Sequence, residues 1–420
     1  MKRDDKTFSL RSRSGFSLVE LLVYMAILGV LMAMVLMSFT KTLQQSAQQS
    51  DIAETQIATG VGLGLLRSDL ERAGFGLPWA CDSAELNYVE PAPLGNAPHA
   101  LGCIRALDSA DAFADAFPLH INNGADYLVI RATNVIQPND RSGQKLGLLG
   151  NDNNSAPQIW QLTNNPLLRN DNTSNRQIWQ LANLNNLLTD LDDFLRGNDW
   201  VIALHPGGGL SSRDHRELVM DAGGRFAFPA TVVDLAPITP DPSVIDPNGE
   251  KLLLYGIINR ASSATPPRRP FNRTDYYISG PNDPNIQVPR HCADRTGVLM
   301  KSILRQDNDQ FTVQPVIDCV ADFQVVYILN GIPPANASQL AGLNPEEIRS
   351  QVREIRCYIL LHEGREDRSY THPNQNIAVG PTNAAGNLLA GRNFNLATIG
   401  PDWRSYRWKV VNVTVSPSFR

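Results

Sequence analysis

The sequence predicts an α+β fold: one long N-terminal helix, membrane-spanning in its first half and amphipathic in its second, packed on an antiparallel β-sheet domain that carries an insertion. Three observations predict it. A short basic leader ends at Gly15 and an apolar run follows from Phe16 to Phe39. No proline occurs between Phe16 and Leu77, and helix formers fill most of that interval. Beyond it the apolar segments are short, rich in β-branched and aromatic residues, and bounded by Gly, Pro, Asn and Asp.

The leader, residues 1–15, carries Lys2, Arg3, Lys6, Arg11 and Arg13 against Asp4 and Asp5, a net charge of +3. That asymmetry places it on the cytoplasmic side of a membrane. The segment 16–39 is long enough to span about 30 Å of hydrocarbon as a helix. A secretory signal has a shorter apolar stretch and a small-residue cleavage site behind it; the run 16–39 is longer and reads as a membrane helix. Glu20 is the single charge in the run. A carboxylate within a bilayer costs roughly 2.5–3.5 kcal/mol even on the lenient insertion scale, which marks Glu20 as a functional residue.

Residues 40–73 form the amphipathic half of the same helix. Ile57, Val61 and Leu65 recur every four residues, with Leu66, Leu70 and Ala73 continuing the apolar spacing, and this half is expected to cover the sheet. Gly60, Gly62 and Gly64 weaken the helix by up to about 1 kcal/mol each and favour a bend. The helix is expected to end near Arg72, before Ala-Gly-Phe-Gly-Leu-Pro at 73–78. At 1.5 Å per residue it reaches roughly 85 Å.

Residues 74–420 make the β-rich domain. Strands are expected at 126–131, 200–205, 216–220, 251–258, 275–278, 297–304, 311–316, 322–329, 354–361 and 407–415. One short helix is expected over 345–353, with Asn344 as N-cap and Glu347 completing a capping box. Residues 136–198 interrupt the pattern as an insertion with a local duplication. NDNNSAPQIWQLTNNPLL at 151–168 returns as NDNTSNRQIWQLANLNNLL at 170–188, the Gln-Ile-Trp-Gln-Leu core repeating 19 residues on. Two copies are too few for a solenoid. Trp160 and Trp179 are expected to pack the copies together, the alternative being an exposed recognition patch.

The formal charge is −5, and removing the +3 leader takes the rest of the chain to −8, with no basic patch for nucleic acid. Five cysteines suit an oxidising compartment. Cys81 and Cys103 are 22 residues apart and Cys292 and Cys319 are 27 apart. Pairing them in this way closes two loops worth roughly 3 kcal/mol each in the chain-entropy model. It leaves Cys357 as a buried free thiol, although spacing leaves other connectivities open. No CxxC or Cys/His cluster is evident, so no metal site through thiolates is expected.

Residues 11–24, RSRSGFSLVELLVY, resemble the class III leader of type IV prepilins and pseudopilins. The resemblance implies cleavage by a prepilin peptidase between Gly15 and Phe16, N-methylation of Phe16, and an assembly role for Glu20: the free amine left on Phe16 could pair with a neighbouring subunit's Glu20 only in one axial register, the use for which buried pairs are best attested. Further segments resemble the PilW family of minor pilins, related to the pseudopilin J of type II secretion. They are SDLERAGFG at 68–76, NDWVIALH at 198–205, DYYISG at 275–280, TGVLMKSILR at 296–305, VIDCVADFQVVYIL at 316–329, VREIRCYILL at 352–361 and YRWKVVNVTVSPSFR at 406–420. The insertion stands outside the match.

The implied function is a minor pilin that primes assembly at or near the tip of a type IV pilus, with other minor pilins, the major pilin and an adhesin-like tip protein as partners. The implied location is the inner membrane, single-pass with a periplasmic domain, and then the pilus at the cell surface. The alternatives are a type II secretion pseudopilin, or a tip-exposed binding module that uses the insertion.

No catalytic set is evident and no enzyme is expected. His205-Pro206-Gly207-Gly208-Gly209 weakly resembles an esterase oxyanion loop, but no G-x-S-x-G elbow accompanies it. Arg213-Asp214-His215-Arg216 reads as a solvated turn. No cofactor is expected. Asp307, Asn308 and Asp309, or Asp190, Asp192 and Asp193, offer oxygen ligands without the Gly and distal Glu of an EF-hand. Some pseudopilins bind calcium, which leaves calcium as the alternative.

Overall fold

The structure, a computed structural model, describes residues 17–79, 88, 90, 104–110, 124–133, 135, 160–162, 199–204, 217, 218, 220, 226–229, 252–259, 266–280, 283, 286–306, 308–331, 333–340 and 342–417. The chain divides into two compact units, Met1–Glu54 and Thr55–Arg420, with the boundary inside a helix. The fold is α+β, as expected: one long N-terminal apolar helix and an antiparallel sheet.

Helix α1 runs unbroken over Leu18–Glu71. In the first unit its apolar side chains from Leu18 to Leu43 are exposed. Among the described residues it is the one helix long and apolar enough to cross a membrane. In the second unit the helix packs on the sheet through Leu66, Leu70 and Ala73, as their spacing suggests, but not through Ile57 and Val61. Ile57 is 69% exposed and Val61 71%, whereas Thr59, Gly62, Leu66, Asp69, Leu70 and Ala73 are buried. The reason is a close approach. A Cβ at Gly62 would lie 2.5 Å from Ile317 Cγ1 and 2.6 Å from the Val316 carbonyl oxygen, while Gly60 and Gly64 face open space. Only Gly62 lets the helix backbone meet the strand, and this fixes which side turns inward. The helix ends where Gly74 and Gly76 adopt positive φ (77° and 72°). The Gly74 amide donates to the Arg131 carbonyl, tying the terminus to the sheet.

The strands are β1 (Leu107–Ala110), β2 (Tyr127–Ala132), β3 (Trp160–Leu162), β4 (Asp199–Leu204), β5 (Phe228–Pro229), β6 (Leu252–Asn259), β7 (Asn272–Ser279), β8 (Gly297–Leu304), β9 (Phe311–Leu329), β10 (Ala335–Asn336), β11 (Val352–Glu363), β12 (Asn376–Val379), β13 (Arg392–Asn395) and β14 (Arg407–Val415). The main sheet has the order β1-β2-β7-β8-β9-β11-β14, and β10 also pairs with β9. A second sheet has the order β3-β6-β4-β5, and β12 and β13 pair with each other. Every strand pair is antiparallel. Helix α2 (Pro345–Gln351) starts with the expected capping box: Asn344 Oδ1 accepts the Glu347 amide, and Glu347 Oε2 accepts the Asn344 amide.

Side chains alternate between the two faces of the sheet. Phe323, Val325 and Tyr327 of β9, with Ile355, Cys357, Ile359 and Leu361 of β11, share one core with Leu66 and Leu70 of the helix. Val326, Tyr358 and Leu360 face the other way, into a core built by Phe394, Leu396, Ile399, Trp403 and Trp408. The helix covers one face and the C-terminal segment covers the other. Both faces of the central strands are therefore dry.

Where two strands are expected at 311–316 and 322–329, one continuous strand crosses the interval. Its pairing with β8 slips register between Gly297 and Met300, and Cys319 adopts φ +57°, so a bulge carries the strand through Asp318. Of the expected strand at 216–220 only 217, 218 and 220 are among the described residues, and of these Leu218 forms an isolated bridge with Leu204. Within the 136–198 insertion, Trp160–Leu162 of the first copy forms β3 and pairs with Leu252–Leu254 of β6. Trp179 and the rest of the insertion lie outside the described residues.

The three helix glycines separate by substitution. Gly62→Ala should lower stability by about 1–3 kcal/mol through overpacking against β9. Gly60→Ala and Gly64→Ala, which meet nothing, should each raise it by up to about 1 kcal/mol. Denaturant midpoints of the detergent-solubilised chain read the difference, and equal effects at all three positions would contradict the close approach.

Candidate functional site

Gly15 and Phe16, the expected cleavage and methylation positions, lie outside the described residues. Glu20 occupies the first turn of the helix, where aligned peptide dipoles favour a carboxylate. It is exposed, and among the described residues no side chain forms an ion pair with it.

At the other end of the helix stands a charged contact that sequence reasoning passed over. Asp69, Tyr276 and Lys301 are all buried. Tyr276 of β7 and Lys301 of β8 are paired across the two strands, which puts their side chains side by side on one face. The Tyr276 hydroxyl donates to Asp69 Oδ2 at 2.6 Å, and Lys301 Nζ lies 2.6 Å from the same oxygen. Burial, and after it the Asp69 charge, pushes the Tyr276 phenol far above its usual range, so it stays a donor. The acid of the helix is thus held by one proton donor and one cation from neighbouring strands. Three of the segments that carry the family resemblance, 68–76, 275–280 and 296–305, meet at this point. The sequence signal was Asp69 itself, a charge among Leu66, Leu70 and Ala73 on an otherwise apolar face.

A second buried network ties the far strands together. Arg131 of β2 pairs with Glu90 (2.9 Å) and Asp108 of β1 (3.3 Å), and Arg273 of β7 pairs with Glu90 (2.9 Å) and Asp275 (2.7 Å). Burial opposes the Arg131 charge, but the Glu90 and Asp108 carboxylates outweigh it and hold the guanidinium protonated.

Cys292 and Cys319 are joined by a disulfide with a Cα–Cα distance of 4.9 Å. Cys81 and Cys103 lie outside the described residues. Cys357 is a buried free thiol in β11, and burial pushes its pKa far up, which leaves it unreactive. The fold also assembles a cluster where none was evident from spacing: the ligand atoms of His291, Cys292 and Cys319 lie within 4.8 Å of one another. The adjacency of His291 to Cys292 was the available signal. Of the acidic runs, Asp309 is paired with Arg268 and Arg269, and Asn308 Oδ1 accepts the Gln310 amide. Asp307, Asp190, Asp192 and Asp193 lie outside the described residues, as do His205–Gly209 and Arg213–Arg216.

Breaking the Asp69 contact from one side should be costly. Lys301→Met leaves the acid buried without its cation, and about 3–5 kcal/mol of stability should be lost. Removing both charges together, Asp69→Leu with Lys301→Met, should recover most of it. A double variant no more stable than the single one in urea unfolding would contradict the pairing.

Residues 10–36 match the family described as "Prokaryotic N-terminal methylation motif". No curated protein matches the chain. No solved structure matches it either. The matched residues take in the end of the leader from residue 10, the candidate cut and the apolar run as far as residue 36. It points to a structural subunit rather than an enzyme, and it supports a type IV pilin-like precursor processed by a prepilin peptidase and assembled with other pilins.

Proposed function

We propose that the chain is a minor pilin of a type IV pilus: a structural and priming subunit at or near the filament tip, cut after Gly15, methylated at Phe16 and assembled through its helix. Before assembly it sits in the inner membrane as a single-pass protein with a periplasmic domain; afterwards it belongs to the pilus at the cell surface. Its partners are the prepilin peptidase, other minor pilins, the major pilin and an adhesin-like tip protein.

The observation that carries this reading is the methylation motif at the head of one long apolar helix. The lack of an ion-pair partner for Glu20 among the described residues is in keeping with a carboxylate that meets the Phe16 amine of a neighbouring subunit. The size of the sheet domain and its insertion suits a subunit used once or a few times, since such bulk is awkward at every step of a filament. Disulfide closure outside the cytoplasm fits the same location.

Two variants test the reading in cells that make the pilus. Gly15→Leu should block cleavage, so that the precursor accumulates at its full size. Glu20→Ala should leave membrane insertion and cleavage intact and reduce surface pili several-fold. Unchanged piliation by Glu20→Ala removes the register role. Loss of secreted substrates with pili intact, on deleting the whole chain, would instead make it a type II secretion pseudopilin.

A further inference from the structure

The pair Cys292–Cys319 does not stand alone. His291 adjoins it, with its ring nitrogen within 4.8 Å of both sulfurs. In the disulfide the sulfurs are uncharged and poor ligands, so the oxidised cluster offers a cation little beyond one imidazole. Two thiolates and an imidazole are another matter. They are soft and borderline donors of the kind that select zinc over calcium or magnesium.

The scaffold around the pair is also held by contacts other than the bridge. The 289–296 turn is closed by the Cys292 amide donating to the Pro289 carbonyl (3.0 Å) and by the Thr296 hydroxyl donating to the Ala293 carbonyl (2.6 Å). It is fastened to β11 by the Ala293 amide, which donates to His362 Nε2 at 2.9 Å. His362 is itself buried against the Tyr406 and Trp408 rings, 4.6 and 5.1 Å away. On the other side, Val320 next to Cys319 pairs with Gly297 of β8 and Leu361 of β11. Opening the S–S bond frees two sulfurs on a framework that these contacts also tie to β8 and β11. Zinc bonds of about 2.3 Å to sulfur and about 2.0–2.1 Å to nitrogen put tetrahedral ligand atoms roughly 3.5–4 Å apart. The present spread is compatible with that after small side-chain rotations.

We propose that His291, Cys292 and Cys319 form a zinc site in the reduced chain, and that the disulfide and the zinc site are alternative states of one cluster. The interconversion balances through a dithiol. The dithiol gives two electrons and closes to its own disulfide, the Cys292–Cys319 S–S bond breaks, and the two protons pass to the cysteine sulfurs. Zinc then displaces both protons and binds the thiolates with the His291 imidazole, leaving the fourth position to water. The reverse exchange with an oxidising disulfide closes the bridge and releases the ion. In a chain with five cysteines, such a site holds the two correct partners together until they are oxidised.

The test uses the full chain in detergent, carrying Cys81→Ser and Cys103→Ser to remove those thiols. It is reduced with a phosphine, which supplies the two electrons and takes up oxygen from water, and is then titrated anaerobically with cobalt(II). The reduced chain should bind one cobalt per chain with sulfur-to-cobalt charge-transfer absorption, and zinc should bleach it. The oxidised chain, identical in sequence, should show none. His291→Ala should weaken binding about tenfold or more, and Cys292→Ser with Cys319→Ser should abolish the band. The proposal is overturned if the reduced chain shows no band, if the band survives the double serine variant, if His291→Ala has no effect, or if circular dichroism shows that reduction alone unfolds the domain.

Discussion

Asp69 is a carboxylate on the buried face of a helix, and burying a charge without a partner is among the more costly things a fold can do. Its position is therefore a constraint on everything packed around it. The helix must turn so that residue 69 faces Tyr276 and Lys301, and β7 and β8 must pair in the register that sets those two side by side. Gly62, two turns earlier on the same face, permits the approach that this rotation demands. A purely apolar helix could slide or rotate on a greasy sheet at little cost. One with an ion pair and a glycine notch has a single seating.

That seating explains why the back half of the helix presents Ile57 and Val61 outward. Apolar spacing alone would bury them. The polar anchor and the close approach outweigh the burial of two aliphatic side chains, worth roughly 1.5–3 kcal/mol each. With the helix on one face of β9 and β11 and the C-terminal aromatic segment on the other, the central strands are enclosed, and β1 and β14 form the edges of the sheet. Under the proposed function this arrangement has a mechanical use. The back half of the helix, within the second unit, is fixed in rotation on the sheet it covers.

The sequence made the large elements legible because they obey strong, local rules. The helix showed itself by the missing prolines, its end by Gly74 and Gly76, the α2 start by Asn344 and Glu347, and β8 and β14 by β-branched runs with clear borders. The short strands β1, β5, β10, β12 and β13 span two to four residues each, too few for any periodicity to register. The continuity of β9 was hidden by Asp318, which looks like a break until a bulge is allowed. Of the site, Glu20 and the cleavage dipeptide stand out because a charge and a glycine are conspicuous in an apolar context. The Asp69, Tyr276 and Lys301 contact and the His291 cluster were not legible as contacts. Each joins residues far apart in the chain, and only the strand register brings them together.

The central claim is that the Asp69 contact holds the helix on the sheet. Hydrogen–deuterium exchange over residues 55–71, compared between the native chain and Tyr276→Phe with Lys301→Met, tests it most directly. The account predicts that helix amides in this stretch lose protection at least tenfold, while β9 and β11 keep theirs. Undiminished protection of the helix, or a loss spread evenly over helix and sheet, would contradict it.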